Sequence, residues 1–384
     1  MIQPFTPKVP DADLDDLRHR LTLTRWAPEQ PAGTADGAYG VPLSRVRRLV
    51  ARWQEFDWRG WEDRLNAYPQ FRTEIGGQPV HFLHARSAVP GALPVVLSHG
   101  WPGSAFEYIE LVGRLVDPAA HGADPADAFH VVLPSLPGYG FSGPALQPGW
   151  GTRRIAAAWA ELMARLGYER YGAIGNDAGS VISPELGRRA PEHVAGVHVT
   201  QLFSFPSGDP AELAGLDEDE QAAMSVLQWF WQQKGAFNVL QGQQPQTLAH
   251  ALADSPAGLL AWNAQLFDED LDDDFVLANV SLYWLTGTAG TSIRHYFEDT
   301  HQPAAAQAGP TTVPIGLAAA AAGDFRSIRR FAERDHALIT SWTELPGVTG
   351  HYSAYTNPDQ LARDIRRFFR PLRPATVPAD SKEN

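Results

Sequence analysis

The feature that most constrains this chain is the uninterrupted apolar run Leu93 to Ser98, which closes on His99-Gly100. A short run without alternation suits a strand buried on both faces, the situation of a strand inside a parallel sheet. Strand-like runs recur at Phe129 to Leu133, Tyr171 to Gly175 and Gly196 to Gln201, with helical stretches at Thr152 to Leu166 and from about Gly179. This rhythm predicts an α/β class fold with a mostly parallel, doubly wound sheet. It resumes at Val313 to Ala319, followed by a helix at Arg326 to Glu333, a strand at Leu338 to Trp342 and a last helix at Pro358 to Phe369.

Between the two halves, residues 206 to 310 lose the strand rhythm and read as a helical insertion, the form a lid over an active site would take. Ahead of the sheet, Asp11 to Arg25 and Leu43 to Trp58 carry apolar residues at helical spacing, followed by an alternating strand at Gln78 to His84. The expected organisation is an N-terminal segment over 1–90 packed on the core, core over 91–205 and 311–373, lid over 206–310, and a frayed tail over 374–384. The acidic run Asp268 to Asp274 lacks the glycine and the final glutamate of a calcium loop and reads as a solvated helix start.

Composition removes several classes of chemistry. With no cysteine, there can be no disulfide and no thiolate catalysis or cysteine-held metal. A net charge of −13 disfavours a nucleic-acid partner. No stretch approaches the roughly 18 apolar residues of a membrane span, and the N-terminus lacks the pattern of a signal peptide, so no membrane association and a cytoplasmic location are expected. No metal site and no cofactor are expected either.

Chemistry concentrates at Gly175-Asn176-Asp177-Ala178-Gly179, set between a predicted strand and a predicted helix. Small residues around a central side chain at such a turn resemble the nucleophile elbow of α/β-hydrolases, with aspartate where serine is usual. A carboxylate attacking saturated carbon leaves an ester that water can cleave, whereas serine would leave an inert ether. Asp177 therefore points to epoxides or alkyl halides. The alternative is that it only caps the helix from Gly179.

Its expected partners follow the chain order nucleophile, acid, histidine. His351 lies in a loop between the last strand and the last helix, and Asp324 follows the Val313 to Ala319 strand, with helix capping as its alternative role. His336 and Asp335 precede a strand, on the wrong edge of the sheet. At the end of the Leu93 to Ser98 strand, the Trp101 N–H is expected to join the Ala178 N–H in an oxyanion hole.

In this order the residues resemble the microsomal-type epoxide hydrolases. The likeness includes Pro4-Phe5, Asp11 to Leu17 and Thr24-Arg25-Trp26, then Trp58-Arg59, Tyr68 to Phe71, His99 to Ser104, Leu136 to Ser142, Asp254 to Leu259 and Tyr283 to Thr288. The resemblance implies an α/β-hydrolase fold and hydrolysis of an epoxide by water to a vicinal diol. Asp177 would form a hydroxyalkyl ester, His351 held by Asp324 would activate water, and no cofactor would take part. It also implies two lid tyrosines that donate to the epoxide oxygen. Tyr296 matches the second, but the first position falls at or next to Phe237, which cannot donate.

Trp231 or Gln232 is the expected replacement donor. A lid lined by Trp229, Trp231, Trp262 and Trp284 would suit a bulky or aromatic epoxide from secondary metabolism. A haloalkane dehalogenase is the rival enzyme, and a non-catalytic ligand-binding protein on the same scaffold is the rival from another class. A homodimer stays open.

Overall fold

The computed structural model describes residues 1–35, 37–301 and 309–373; the expected tail over 374–384 and part of the lid's end lie outside them. Among the described residues, nine strands form one sheet: β1 Gln3–Pro4, β2 Gln70–Ile75, β3 Gln78–Ala85, β4 Leu93–Ser98, β5 Phe129–Pro134, β6 Tyr171–Gly175, β7 Val194–Val199, β8 Ile315–Ala322 and β9 Ile339–Thr349. Their order is β1-β2-β3-β5-β4-β6-β7-β8-β9. Every pairing among β4 to β9 is parallel, while β1, β2 and β3 join antiparallel at one edge. The strands that read as continuous apolar runs are the interior ones, with both faces covered.

Register decides what the sheet presents at its carboxyl edge. Ser98 pairs with Gly175 and Val199 pairs with Gly175 from the other side. Leu317 lies beside Val199, and β8 and β9 run on together to Ala322 and Thr349. Five consecutive strand ends thus deliver Trp101, Asp177, Gln201, Asp324 and His351 to one edge, the edge where open α/β sheets bind ligands.

The lid is helical as expected, with helices at Glu218–Gln233, Ala236–Gln243, Pro245–Asp254, Pro256–Ala264, Asp273–Leu285 and Arg294–Thr300. Asp217 and Glu220 form a capping box that starts the first of these. The acidic run does start a helix, with Asp272 accepting from the Asp274 N–H, but it is not simply solvated. Arg48 pairs with Asp273 and Arg52 with Asp274.

The N-terminal segment differs from its expected form in two ways. The helix anticipated over Leu43 to Trp58 is two helices, Leu43–Gln54 and Trp58–Asn66, because the Asp57 carboxylate accepts from the Gly60 N–H and begins a new one. Nor does the segment pack on the core alone. The Trp53 indole N–H donates to Ser281 Oγ at 2.7 Å and the Arg45 guanidinium to the Phe267 carbonyl at 3.0 Å, so its helices also brace the lid.

Candidate active site

Asp177 stands at the tip of the turn from β6 into the helix Gly179–Arg189, with φ 53°, the only left-handed non-glycine residue among those described. Such a conformation is strained for a residue with a Cβ and is typical of functional turns. The turn is tight enough to require glycine on both sides. A Cβ at Gly175 would fall 2.0 Å from the Gly179 carbonyl oxygen, and one at Gly179 would fall 1.8 Å from the Ser98 carbonyl oxygen.

The capping alternative for Asp177 does not fit this geometry, since the helix has no side-chain cap. Its carboxylate instead reaches across the chain, and Oδ1 accepts the Trp101 N–H at 3.0 Å. Ala178 lies beside it on the same cavity. His351 Nε2 is 3.8 Å from Asp177 Oδ2, so the imidazole and the carboxylate face each other. His99 serves the frame: its Nε2 accepts from the Leu136 N–H, and burial pushes its pKa down to about 4.

Asp324 reaches the cavity but does not hold His351 here. Its Oδ2 accepts from Lys234 Nζ of the lid at 2.5 Å. The His351 Nδ1, where the acid was expected, is instead 3.1 Å from Nε2 of Gln201. Gln201 also accepts the Asp177 N–H on Oε1 at 2.9 Å. The two loops are nonetheless in contact, because the Gly350 N–H donates to the Ala322 carbonyl.

Above the elbow the cavity measures about 340 Å³. Trp101, Phe237 and Tyr296 make an aromatic wall. Phe237 stacks on Trp101 with centroids 5.8 Å apart and meets Tyr296 edge-on at 5.8 Å, while Tyr296 meets Trp101 edge-on at 6.0 Å. Burial, and then the nearby Asp177 charge, push the Tyr296 phenol well above its ordinary pKa, so it stays a proton donor. Phe237 shares this wall and offers no hydrogen.

The expected replacement donors fare unevenly. Trp231 lines the cavity, although it is 42% exposed, whereas Gln232 is exposed and does not line it. The tryptophan lining also needs correction. Trp262 turns its indole N–H to Gln241, Trp284 lies under the Arg20 guanidinium, and Trp229 lies beside Lys234; none of the three lines the cavity. Phenylalanines take that place, with Phe203, Phe205, Phe230, Phe237 and Phe325 on its walls.

Three contributors escaped sequence reasoning. Gln201 has no motif, only its position two residues beyond β7. Asp268 accepts the His351 backbone N–H at 3.0 Å, from within the acidic run. Glu107 is buried near the elbow, and burial, then the Asp177 charge, raise its pKa well above the usual carboxylate range.

Residues 2–108 match the family model for the epoxide hydrolase N terminus, and residues 94–303 match that for the α/β-hydrolase fold. A Stigmatella aurantiaca protein that carries the epoxide-hydrolase name is 41% identical over 383 residues, covering 97% of this chain and 86% of its own. Epoxide hydrolase 1 of Sus scrofa is 30% identical, covering 96% of this chain and 88% of its own. The solved structure of Aspergillus niger epoxide hydrolase superposes with a TM-score of 0.86 at 31% identity, with 97% of each chain covered. By fold and by sequence over nearly its whole length, the chain belongs to the epoxide hydrolase family, among its microsomal-type members.

Proposed function

We propose that the chain opens its epoxide through a covalent ester on Asp177. The carboxylate attacks the less hindered or more activated ring carbon; that carbon's bond to the epoxide oxygen breaks, and the oxygen takes the Tyr296 proton. The product is a hydroxyalkyl ester. Water then attacks the ester carbonyl as His351 removes its proton, with Asp324 as the orienting acid. The tetrahedral intermediate collapses by releasing the diol alkoxide, which the imidazolium protonates. The second water proton, shed as the carboxylate re-forms, restores Tyr296.

The observation that carries this reading is the 3.0 Å hydrogen bond from the Trp101 N–H to Asp177 Oδ1. An oxygen already held by a backbone donor suits the ester carbonyl that becomes an oxyanion, and the Ala178 N–H is proposed as its second donor. The phenylalanine-rich cavity supports a bulky or aromatic substrate.

The test is mass spectrometry of His351→Ala after incubation with a styrene-type epoxide. A mass increase equal to the epoxide should accumulate on the peptide that carries Asp177. No adduct across a panel of reactive epoxides would overturn the covalent mechanism.

A further inference from the structure

Gln201 sits between the nucleophile and the base, and its hydrogen bonds dictate where the imidazole proton resides. The Asp177 N–H can only donate, so the Gln201 atom 2.9 Å from it is the carbonyl Oε1. The amide NH2 therefore faces His351 Nδ1 at 3.1 Å, and a nitrogen that receives an N–H must present its lone pair. In the neutral ring the proton is then on Nε2, which faces the Asp177 carboxylate at 3.8 Å. A backbone donor thus sets a side-chain amide, and the amide sets a tautomer.

That tautomer suits one half of the reaction and not the other. While Asp177 attacks, an Nε2–H beside its carboxylate asks for no proton and adds a weak electrostatic hold. For ester hydrolysis Nε2 must accept a proton from water, which requires the proton on Nδ1 and an acceptor there. The acceptor proposed above is Asp324, which lines the same cavity and is bound here to Lys234 of the lid.

Resting on the two-step mechanism proposed above, we infer that Gln201 is a positioning residue that holds His351 in the ester-forming tautomer, and that exchange of Gln201 for Asp324 at Nδ1 arms hydrolysis. The exchange conserves charge: one water gives a proton to Nδ1 while another takes the proton from Nε2, the hydroxide and hydronium so formed recombine to water, and the ring stays neutral. Glutamine at this place delays the base until the ester is formed.

The test uses the full-length enzyme labelled with ¹⁵N-histidine, at a pH well above the imidazole titration, with the His351 signal identified by its loss in His351→Ala. The wild type should show a pyridine-like Nδ1 and a pyrrole-like Nε2. Gln201→Glu keeps an acceptor for the Asp177 N–H and offers a second oxygen to Nδ1, so Nδ1 should become pyrrole-like. Single-turnover kinetics supply the second readout. Asp324→Asn should slow ester hydrolysis by 10²-fold or more in the wild-type background, and by less than tenfold in the Gln201→Glu background.

A pyrrole-like Nδ1 in the wild type would overturn the inference, as would an Asp324→Asn loss of equal size in both backgrounds. Failure of the ester mechanism itself would show separately, as an absent adduct in His351→Ala, and would leave the tautomer measurement readable.

Discussion

Lys234 of the lid and Asp324 of the core are joined by a 2.5 Å ion pair, at the carboxylate expected to serve His351. Asp324, proposed above as the orienting acid, is thereby bound to the lid. In the mechanism proposed above, this pair must open before Asp324 can serve His351.

Removing the cation should speed that step. Both side chains are more than a third exposed, so the pair adds little to stability, about 0.2–1 kcal/mol after screening. Lys234→Met should therefore leave the melting temperature nearly unchanged while raising the hydrolysis rate of the accumulated ester about 1.4- to fivefold, the kinetic equivalent of that energy. Rapid-quench measurement of the ester decay checks it. A slower decay would mean that Lys234 holds Asp324 in its working place.

A second His–Asp pair should make stability depend on pH. His295 Nε2 lies 3.0 Å from Asp299 Oδ2, and the Asp299 carboxylate also accepts from the Thr152 N–H and hydroxyl at 2.7 Å, tying the lid to the core. Burial opposes the charged imidazole, but the Asp299 carboxylate outweighs it and the His295 pKa is raised. A raised histidine pKa gives stability that is complete below the unfolded pKa of about 6.5 and is lost as pH rises through the folded value. His295→Gln should thus cost most near pH 5.5 and progressively less toward pH 8.5, read as the difference in melting temperature from wild type. Equal losses at both ends would show the charge to be irrelevant.

The brace between the N-terminal segment and the lid is testable through its buried hydrogen bond. Trp53→Phe removes the donor to Ser281 and leaves that hydroxyl unpaired inside the protein, at a cost of about 1–3 kcal/mol. The loss should appear as a lowered melting temperature and as faster hydrogen exchange in the helix Asp273–Leu285. Unchanged exchange there would place the lid's support elsewhere.

How much of this was legible in the sequence depends on the range of the forces involved. The interior strands and the elbow were readable because a doubly buried strand needs a continuous apolar run, and a tight turn needs Gly175 and Gly179 within a few residues. The gathering of Trp101, Asp177, Asp324 and His351 on one cavity follows from strand order and was anticipated. The roles of Gln201 and Lys234 were not, because each depends on partners far along the chain: His351 lies 150 residues from Gln201 and Asp324 lies 90 from Lys234. A glutamine carries no chemical signature until its two partners are known. Similarly, helical spacing could not tell that Trp262 would turn to Gln241 while Phe230 faced the substrate space.

Phe237 supplies the most direct test of how the epoxide oxygen is activated. It occupies the wall beside Tyr296, at the position where a second phenol was expected, and it is only 7% exposed and stacked on Trp101. Phe237→Tyr adds one hydroxyl without changing the ring contacts, so the fold should hold. Each positioned proton donor is worth on the order of 10²- to 10⁴-fold in a step that would otherwise expel an alkoxide, with less when a first donor is already in place. The ester-forming step should therefore rise about tenfold in Phe237→Tyr, with ester hydrolysis unchanged, since the new hydroxyl acts on the epoxide oxygen alone. Tyr296→Phe in the wild-type background should remove most ring opening, and the Phe237→Tyr exchange should restore part of it. A single-turnover comparison of the four proteins separates the two donors. No gain in either background would show that another group, such as the Trp231 indole on the same cavity, donates in place of the missing phenol.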